Sequence, residues 1–287
     1  MKNNLLLILK GFVMGIANII PGVSGGTLAI ILGIYERFIA AISHFFSNFK
    51  ENVKFLVPIV IGIVLALVSM SSLIDYSYEH FPLPTSIFFV GLVMGGIPLL
   101  WNKTKKEETK SKVANIMVFI LTFVLVVFMA LSDKILGGSK EVILSNLNII
   151  GYLKVFAVGA IAAATMIIPG VSGSLVLMLI GYYYPIIRLI KELVHFNNLV
   201  SNLIIVGVFG LGVLIGMVLI SKLLEYLFSK HSKATYCGVL GFIFASIISI
   251  PISSFELIEA TFSINHIIIS VLTLFIGIII AYKLGEK

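Results

Sequence analysis

The heptapeptide Ile19-Ile20-Pro21-Gly22-Val23-Ser24-Gly25 returns unchanged as Ile167-Ile168-Pro169-Gly170-Val171-Ser172-Gly173, so that Pro21 and Pro169 stand 148 positions apart in a chain of 287 residues. The correspondence extends at the same offset back to Gly11 and Gly159 and forward to Gly33 and Gly181. Each copy sets a helix breaker and glycines inside an apolar run, where backbone N–H and C=O groups must find polar partners or cost several kcal/mol each, by order of magnitude. Interrupted apolar segments at equivalent places in two halves point to a transporter's binding site.

Composition sets the class. With 59% hydrophobic residues, 11% charged residues and a mean hydropathy of +1.14, the chain lacks the polar surface of a soluble globule. Its apolar stretches have the length that crosses hydrocarbon as a helix, which excludes a barrel of short alternating strands. The net charge of +7 comes from lysines in short loops, a topology signal and not a nucleic-acid face. The lone Cys237 reads as a packing residue. The N-terminal run MKNNLLLILKGFVMG is expected to stay in the membrane domain instead of being cleaved, because Lys10 interrupts it and it leads directly into the motif.

Apolar segments fall at about 5–20, 23–46, 55–74, 85–101, 113–132, 148–168, 172–190, 199–228, 235–250 and 266–283, five per half. The loop holding Lys103, Lys105, Lys106, Lys110 and Lys112 is expected in the cytoplasm, and counting from it puts both termini there too. Five segments per half make the second copy upside down relative to the first. Five full crossings per half satisfy that parity, as do three crossings plus one re-entrant hairpin tipped by PGVSG. The hairpin is preferred, because residues 5–20 are short, carry Lys10 and end in a break. The expected architecture is therefore an all-α, polytopic integral membrane protein with an inverted-topology repeat, about six full crossings plus two re-entrant helical hairpins. It forms one membrane domain over 1–287, with repeat one at about 1–132 and repeat two at about 149–287.

After each break a new helix begins. Helix starts offer unpaired N–H groups and a partial positive charge, hydroxyls add donors, and glycine permits close approach, which suits an anion and phosphate above all. Gly22, Ser24, Gly25, Gly26 and Thr27 make up the first candidate site, and Gly170, Ser172, Gly173 and Ser174 the second. The plainer reading is an ordinary N-cap beside a close-packing glycine pair; duplication favours the site. Arg37 and Arg188 are the only arginines, and the guanidinium fork suits phosphate. A straight helix would carry Arg37 about 24 Å from the break, to the membrane face, as a headgroup catcher or a snorkelling cation. Glu36 reads as a proton-linked carboxylate or as the ion-pair partner of Arg37. Lys10 and Lys154 precede the breaks and are candidates for reaching inward. The histidines have no metal-ligand spacing, and neither a metal nor a cofactor is expected.

The runs GFVMGIANIIPGVSGGTLAIILGIYERFI (11–39) and IIPGVSGSLVLMLIGYYYP (167–185) closely resemble the polyprenyl-phosphate transporter (PopT) family, and the resemblance covers nearly the whole chain. It implies return of undecaprenyl phosphate, the lipid carrier for envelope polymers, from the outer to the inner leaflet of the bacterial plasma membrane, with the lipid and the bilayer as partners. The family motif falls on Pro21, Gly22, Ser24, Gly25, Gly26, Thr27, Tyr35, Glu36 and Arg37, and again on Pro169, Gly170, Ser172, Gly173 and Ser174. Asn18 stands where many relatives are expected to carry an acid, and Tyr184-Pro185 replaces Glu36-Arg37 in the second half, which makes the two hairpins unequal. The competing class is a secondary transporter of a small soluble anion, with a sealed, water-lined cavity. A membrane phosphatase would need a cluster of His, Arg and Lys or Asp on the outer side, where only His80, Arg188, Lys191 and His195 stand, in unrelated places.

Overall fold

The computed structural model describes residues 2–19, 24–108, 111–136, 141–144, 147–194, 198–260 and 263–285; Pro21 and Gly22 of the first motif therefore lie outside the described residues. Helices run in the order α1 (Lys2–Ile19), α2 (Gly25–Ile31), α3 (Tyr35–Ser43), α4 (Phe49–His80), α5 (Pro82–Lys106), α6 (Lys112–Leu136), α7 (Ile149–Ile167), α8 (Gly173–Leu179), α9 (Tyr183–Val194), α10 (Leu199–Lys230), α11 (Ser232–Ser253), α12 (Phe255–Ala260) and α13 (Ile264–Gly285). Among the described residues, seven helices are long and apolar enough to cross a membrane: α4, α5, α6, α7, α10, α11 and α13. The chain is a multi-pass helical membrane protein.

Burial separates a centre from a rim. In α5 and α11, 56% of the apolar stretch is buried, against 11% in α6 and 17% in both α10 and α13. The rim helices turn Val68, Leu121, Leu219 and Leu272 outward, an apolar surface that suits lipid and not water. Lipid tails give apolar helices no hydrophobic reason to associate, so close backbone approach has to hold the pairs together. Glycine supplies it. A Cβ at Gly11 would stand 2.1 Å from the Ile59 carbonyl oxygen, and one at Gly62 the same distance from that of Ile8, joining α1 to α4. Gly159 and Gly212 do the same for α7 and α10, against the carbonyls of Phe209 and Phe156. Gly91 meets Leu274 of α13, and Gly241 meets Phe119 of α6, so each central helix packs on the last long helix of the other half.

These contacts also give helix directions. Gly11 lies on Ile59 and Gly15 on Ile63 and Ala66, so α1 and α4 run parallel. The α7 and α10 pair is parallel by the same test, with Gly212 on Phe156 and Gly216 on Ala160. Ion pairs and hydrogen bonds define the ends of the bundle. At one end Lys103 meets Glu36, Lys233 meets the Glu107 carbonyl and His44 meets Glu225. This lysine end holds the start of α4. The opposite end holds the start of α10, with Arg188 bonded to Glu141 and Asn202 to Glu192.

The segments expected at 23–46 and 172–190 are each broken. Gly33 and Gly181 have φ of 69° and 76°, left-handed values that glycine adopts without a Cβ penalty. Each ends its helix in a double cap: Ile34 N donates to Ala29 O and Gly33 N to Ile30 O, while Tyr182 N donates to Leu177 O and Gly181 N to Met178 O. That is the Schellman pattern, with buried Ile34 and Tyr182 just past the glycine. The bend between α8 and α9 is 109°. Arg37 therefore does not lie one straight helix beyond the first motif but on α3, a separate short helix that begins after the break at Gly33.

Candidate functional site

The two repeated turns meet. Ser24 Oγ donates to the Ile168 carbonyl at 3.1 Å, and the Gly170 N–H donates to Thr27 Oγ1 at 2.8 Å. Tyr35 OH reaches the Ile167 carbonyl at 3.2 Å, and a Cβ on Gly26 would stand 2.4 Å from the same oxygen. Three carbonyl or N–H groups freed by the second break are thus satisfied by side chains that follow the first. The joint is tight, with Ser24, Thr27, Ser172 and Tyr35 all buried.

Local sequence explains why each turn has this shape. Ser24 caps α2, its Oγ accepting from Gly26 N at 3.2 Å, and Ser172 caps α8, accepting from Leu175 N at 3.5 Å. Asn18 Oδ1 accepts from Gly25 N at 3.1 Å, so the side-chain amide is a second cap on the start of α2. Ser172 and Ser174 hydroxyls face each other at 2.9 Å. Gly173 packs against Thr165, with a virtual Cβ 3.2 Å from Thr165 Oγ1. Gly170 has φ of 78° and lies against the Phe242 carbonyl, while Ser246 approaches the Gly170 carbonyl at 3.5 Å. A cavity of about 10 Å³ beside the joint, lined by Gly170, Ser172, Ser249 and Val126, has room for no more than about one water. The Ser24 and Thr27 hydroxyls are committed to the joint itself, so among the described residues neither is free to hold a phosphate in this conformation.

The charged candidates are spread along the bundle. Lys10 Nζ donates to the Leu32 carbonyl at 2.8 Å, capping the end of α2 instead of pointing at the turns. Lys10→Met should cost about 1 kcal/mol or somewhat more, as one charged hydrogen bond to a helix end, read as a lower midpoint of thermal unfolding in detergent; an unchanged midpoint would show that the cap is idle. Lys154 is exposed on α7, about 20 Å of helix before the turn, and does not reach inward. Arg188 is tied to Glu141 Oε2 at 3.1 Å, beside a cavity of about 520 Å³ at the far end lined also by Glu192 and Asn202.

Glu36 is not the ion-pair partner of Arg37. Its Oε1 accepts from Lys103 Nζ and from Tyr236 OH, each at 2.6 Å, while the Arg37 guanidinium lies over the Phe55 ring at 5.4 Å. Adjacent residues on a helix point about 100° apart, which separates the two charges. Partial burial acts to raise the Glu36 carboxyl, but the bonds from Lys103 and Tyr236 and the Lys103 charge outweigh it and hold it below its ordinary value. The Lys103 and Glu36 side chains keep 40% and 52% exposure, so the pair is worth about 0–1 kcal/mol. Sequence reasoning missed Lys103, Tyr236 and Ser246. Lys103 was visible only as one of a loop cluster, and Tyr236 only as one of many interfacial aromatics.

Known proteins resemble the chain over most of its length. The polyprenyl-phosphate transporter of Staphylococcus aureus is 34% identical over 244 residues, 85% of this chain and 84% of that protein. The polyprenyl-phosphate transporter of Vibrio cholerae is 28% identical over 254 residues, 83% of this chain and 75% of its own length. No solved structure matches. A family profile described as undecaprenyl phosphate translocase-like matches residues 14–257, a stretch that holds both repeated turns and the residues that bond across their joint. This chain belongs to the undecaprenyl phosphate translocase-like family.

Proposed function

We propose that this chain carries undecaprenyl phosphate from the outer to the inner leaflet of the bacterial plasma membrane, as a transporter and not an enzyme, with both termini in the cytoplasm. The observation that carries the reading is the joint, where the two copies of IIPGVSG hold each other by Ser24 to Ile168 and Gly170 to Thr27. Phe242 and Val126 flank it, each near the middle of its own helix, α11 or α6, which suits mid-depth. A re-entrant, inverted arrangement is supported by the parallel pairs: α1 begins at the lysine end beside the start of α4, and α7 begins at the opposite end beside the start of α10. Lys10 bonding Leu32 fits a first arm that returns to its own side. Repeat one at about 1–132 and repeat two at about 149–287 then each supply one hairpin.

In this account the headgroup binds when the joint opens. The freed N–H groups and hydroxyls of Ser24, Gly25, Gly26, Thr27, Gly170, Ser172, Gly173 and Ser174 then turn from each other to the phosphate oxygens. The prenyl chain stays in the bilayer. Arg37 at the lysine end catches or releases the headgroup there, and Arg188 serves the far mouth. Because the fork of donors matters as well as the charge, Arg37→Lys should slow transport several-fold; parental rates in that variant would remove Arg37 from the path.

Reconstitution tests the whole reading. Proteoliposomes loaded with a fluorescent polyprenyl phosphate should show leaflet exchange that depends on the protein, while uptake of inorganic phosphate stays at the level of empty vesicles. Uptake of the soluble anion without lipid exchange would replace the carrier reading by that of an anion transporter.

A further inference from the structure

We propose that Lys103 and Tyr236 form a second phosphate-group site at the lysine end of the bundle, which the Glu36 carboxylate fills in this structure and which an arriving headgroup takes over by displacing it. The proposal rests on the carrier reading and specifies where the headgroup leaves the protein.

Two donors from different helices, the ammonium at the end of α5 and the phenol in the first turns of α11, converge on the single atom Glu36 Oε1 at 2.6 Å each. Such convergence on one oxygen is an anion site in all but its occupant. The occupant is a side chain of α3, a helix of nine residues, and both partners of the ion pair are half-exposed, so a headgroup can reach the donors. The donors would remain when Glu36 leaves. Lys103 Nζ lies 5.9 Å from the Tyr236 ring centroid, within the attraction of the ring face. Tyr236 is 8% exposed and packed edge-on against Phe228, at 5.0 Å between centroids.

A phosphate monoester brings nearly two negative charges and three terminal oxygens, against one charge and two oxygens for the carboxylate, so it competes well for the pair of donors. Exchange also reaches the joint. Tyr35, next to Glu36 on α3, holds the Ile167 carbonyl of the second turn, so freeing Glu36 removes an anchor of the helix that clamps that turn.

Trp101 is the only tryptophan and lies two residues before Lys103, so its fluorescence reports locally on this end. The test titrates the full-length chain in nanodiscs with farnesyl phosphate, and in a parallel arm with inorganic phosphate. Lys103→Met and Tyr236→Phe should each weaken the farnesyl phosphate response about ten-fold, Lys103→Arg should keep most of it, and Glu36→Gln should tighten it several-fold because the internal competitor is gone. Tyr236→Phe removes one oxygen and keeps the packed ring, which guards against a result caused by misfolding. Unchanged affinity in Lys103→Met and Tyr236→Phe, or weaker binding in Glu36→Gln, would overturn the exchange site and leave the carrier reading standing. Inorganic phosphate binding as tightly as farnesyl phosphate, with the same pattern across variants, would support the site and overturn the lipid reading. Failure of the parent to respond to either ligand would overturn both.

Discussion

Thr27→Val should destabilise the protein by about 1–3 kcal/mol and stop transport, while Thr27→Ser should behave nearly as the parent. Thr27 is 1% exposed, and its Oγ1 is the acceptor for the Gly170 N–H at 2.8 Å. Valine keeps the shape and removes the acceptor, which leaves a backbone donor buried without a partner, and that desolvation cost sets the magnitude. The same bond ties the first turn to the second, so its loss should loosen the joint as well as the local helix. Serine restores the hydroxyl at the price of one methyl. The check is thermal unfolding of the three proteins in one detergent, together with leaflet exchange of a fluorescent polyprenyl phosphate. Equal stability of Thr27→Val and the parent would mean that the joint contributes nothing.

The second large effect belongs to Gly170. At φ of 78° an alanine is strained, and its Cβ would stand 2.7 Å from the Phe242 carbonyl oxygen, a backbone atom that cannot step aside cheaply. Gly33 is a built-in comparison: its φ is 69°, yet nothing lies within 4 Å of the Cβ it would gain. Gly33→Ala should cost only the left-handed strain, about 1–2 kcal/mol. Gly170→Ala adds the clash and should cost clearly more, with little folded protein surviving extraction. Comparable yields and midpoints for the two variants would refute the packing assigned to the second turn.

The crossing helices were legible because their apolar runs have the length of a bilayer, and α6, α7, α10 and α13 fall close to the expected segments, while α4 runs six residues past its segment at each end. The duplicated heptapeptide also identified the two turns that meet. What escaped the sequence were the breaks at Gly33 and Gly181, since the apolar pattern runs on through them. The signal was present as a glycine followed by a large apolar residue, Gly33-Ile34 and Gly181-Tyr182, the composition of a helix end that hydropathy alone does not read. The hydroxyls stand out in the sequence as donors for an anion, but spacing along the chain does not show that Ser24 bonds residue 168 and Thr27 residue 170. The pairing of Glu36 with Arg37 failed for a similar reason. A neighbour in sequence, Arg37, was the natural partner, and the fold supplied Lys103 and Tyr236 from two other helices.

Cross-linking tests the central claim, that the two repeated turns form one joint which must open for transport. With Cys237 replaced by alanine, cysteines at Ser24 and Ile168 should form a disulfide in the membrane under mild oxidation. Leaflet exchange of polyprenyl phosphate should stop when the bond forms and return on reduction, and added farnesyl phosphate should slow the bond's formation. Transport that continues at the parental rate with the bond in place would contradict the account.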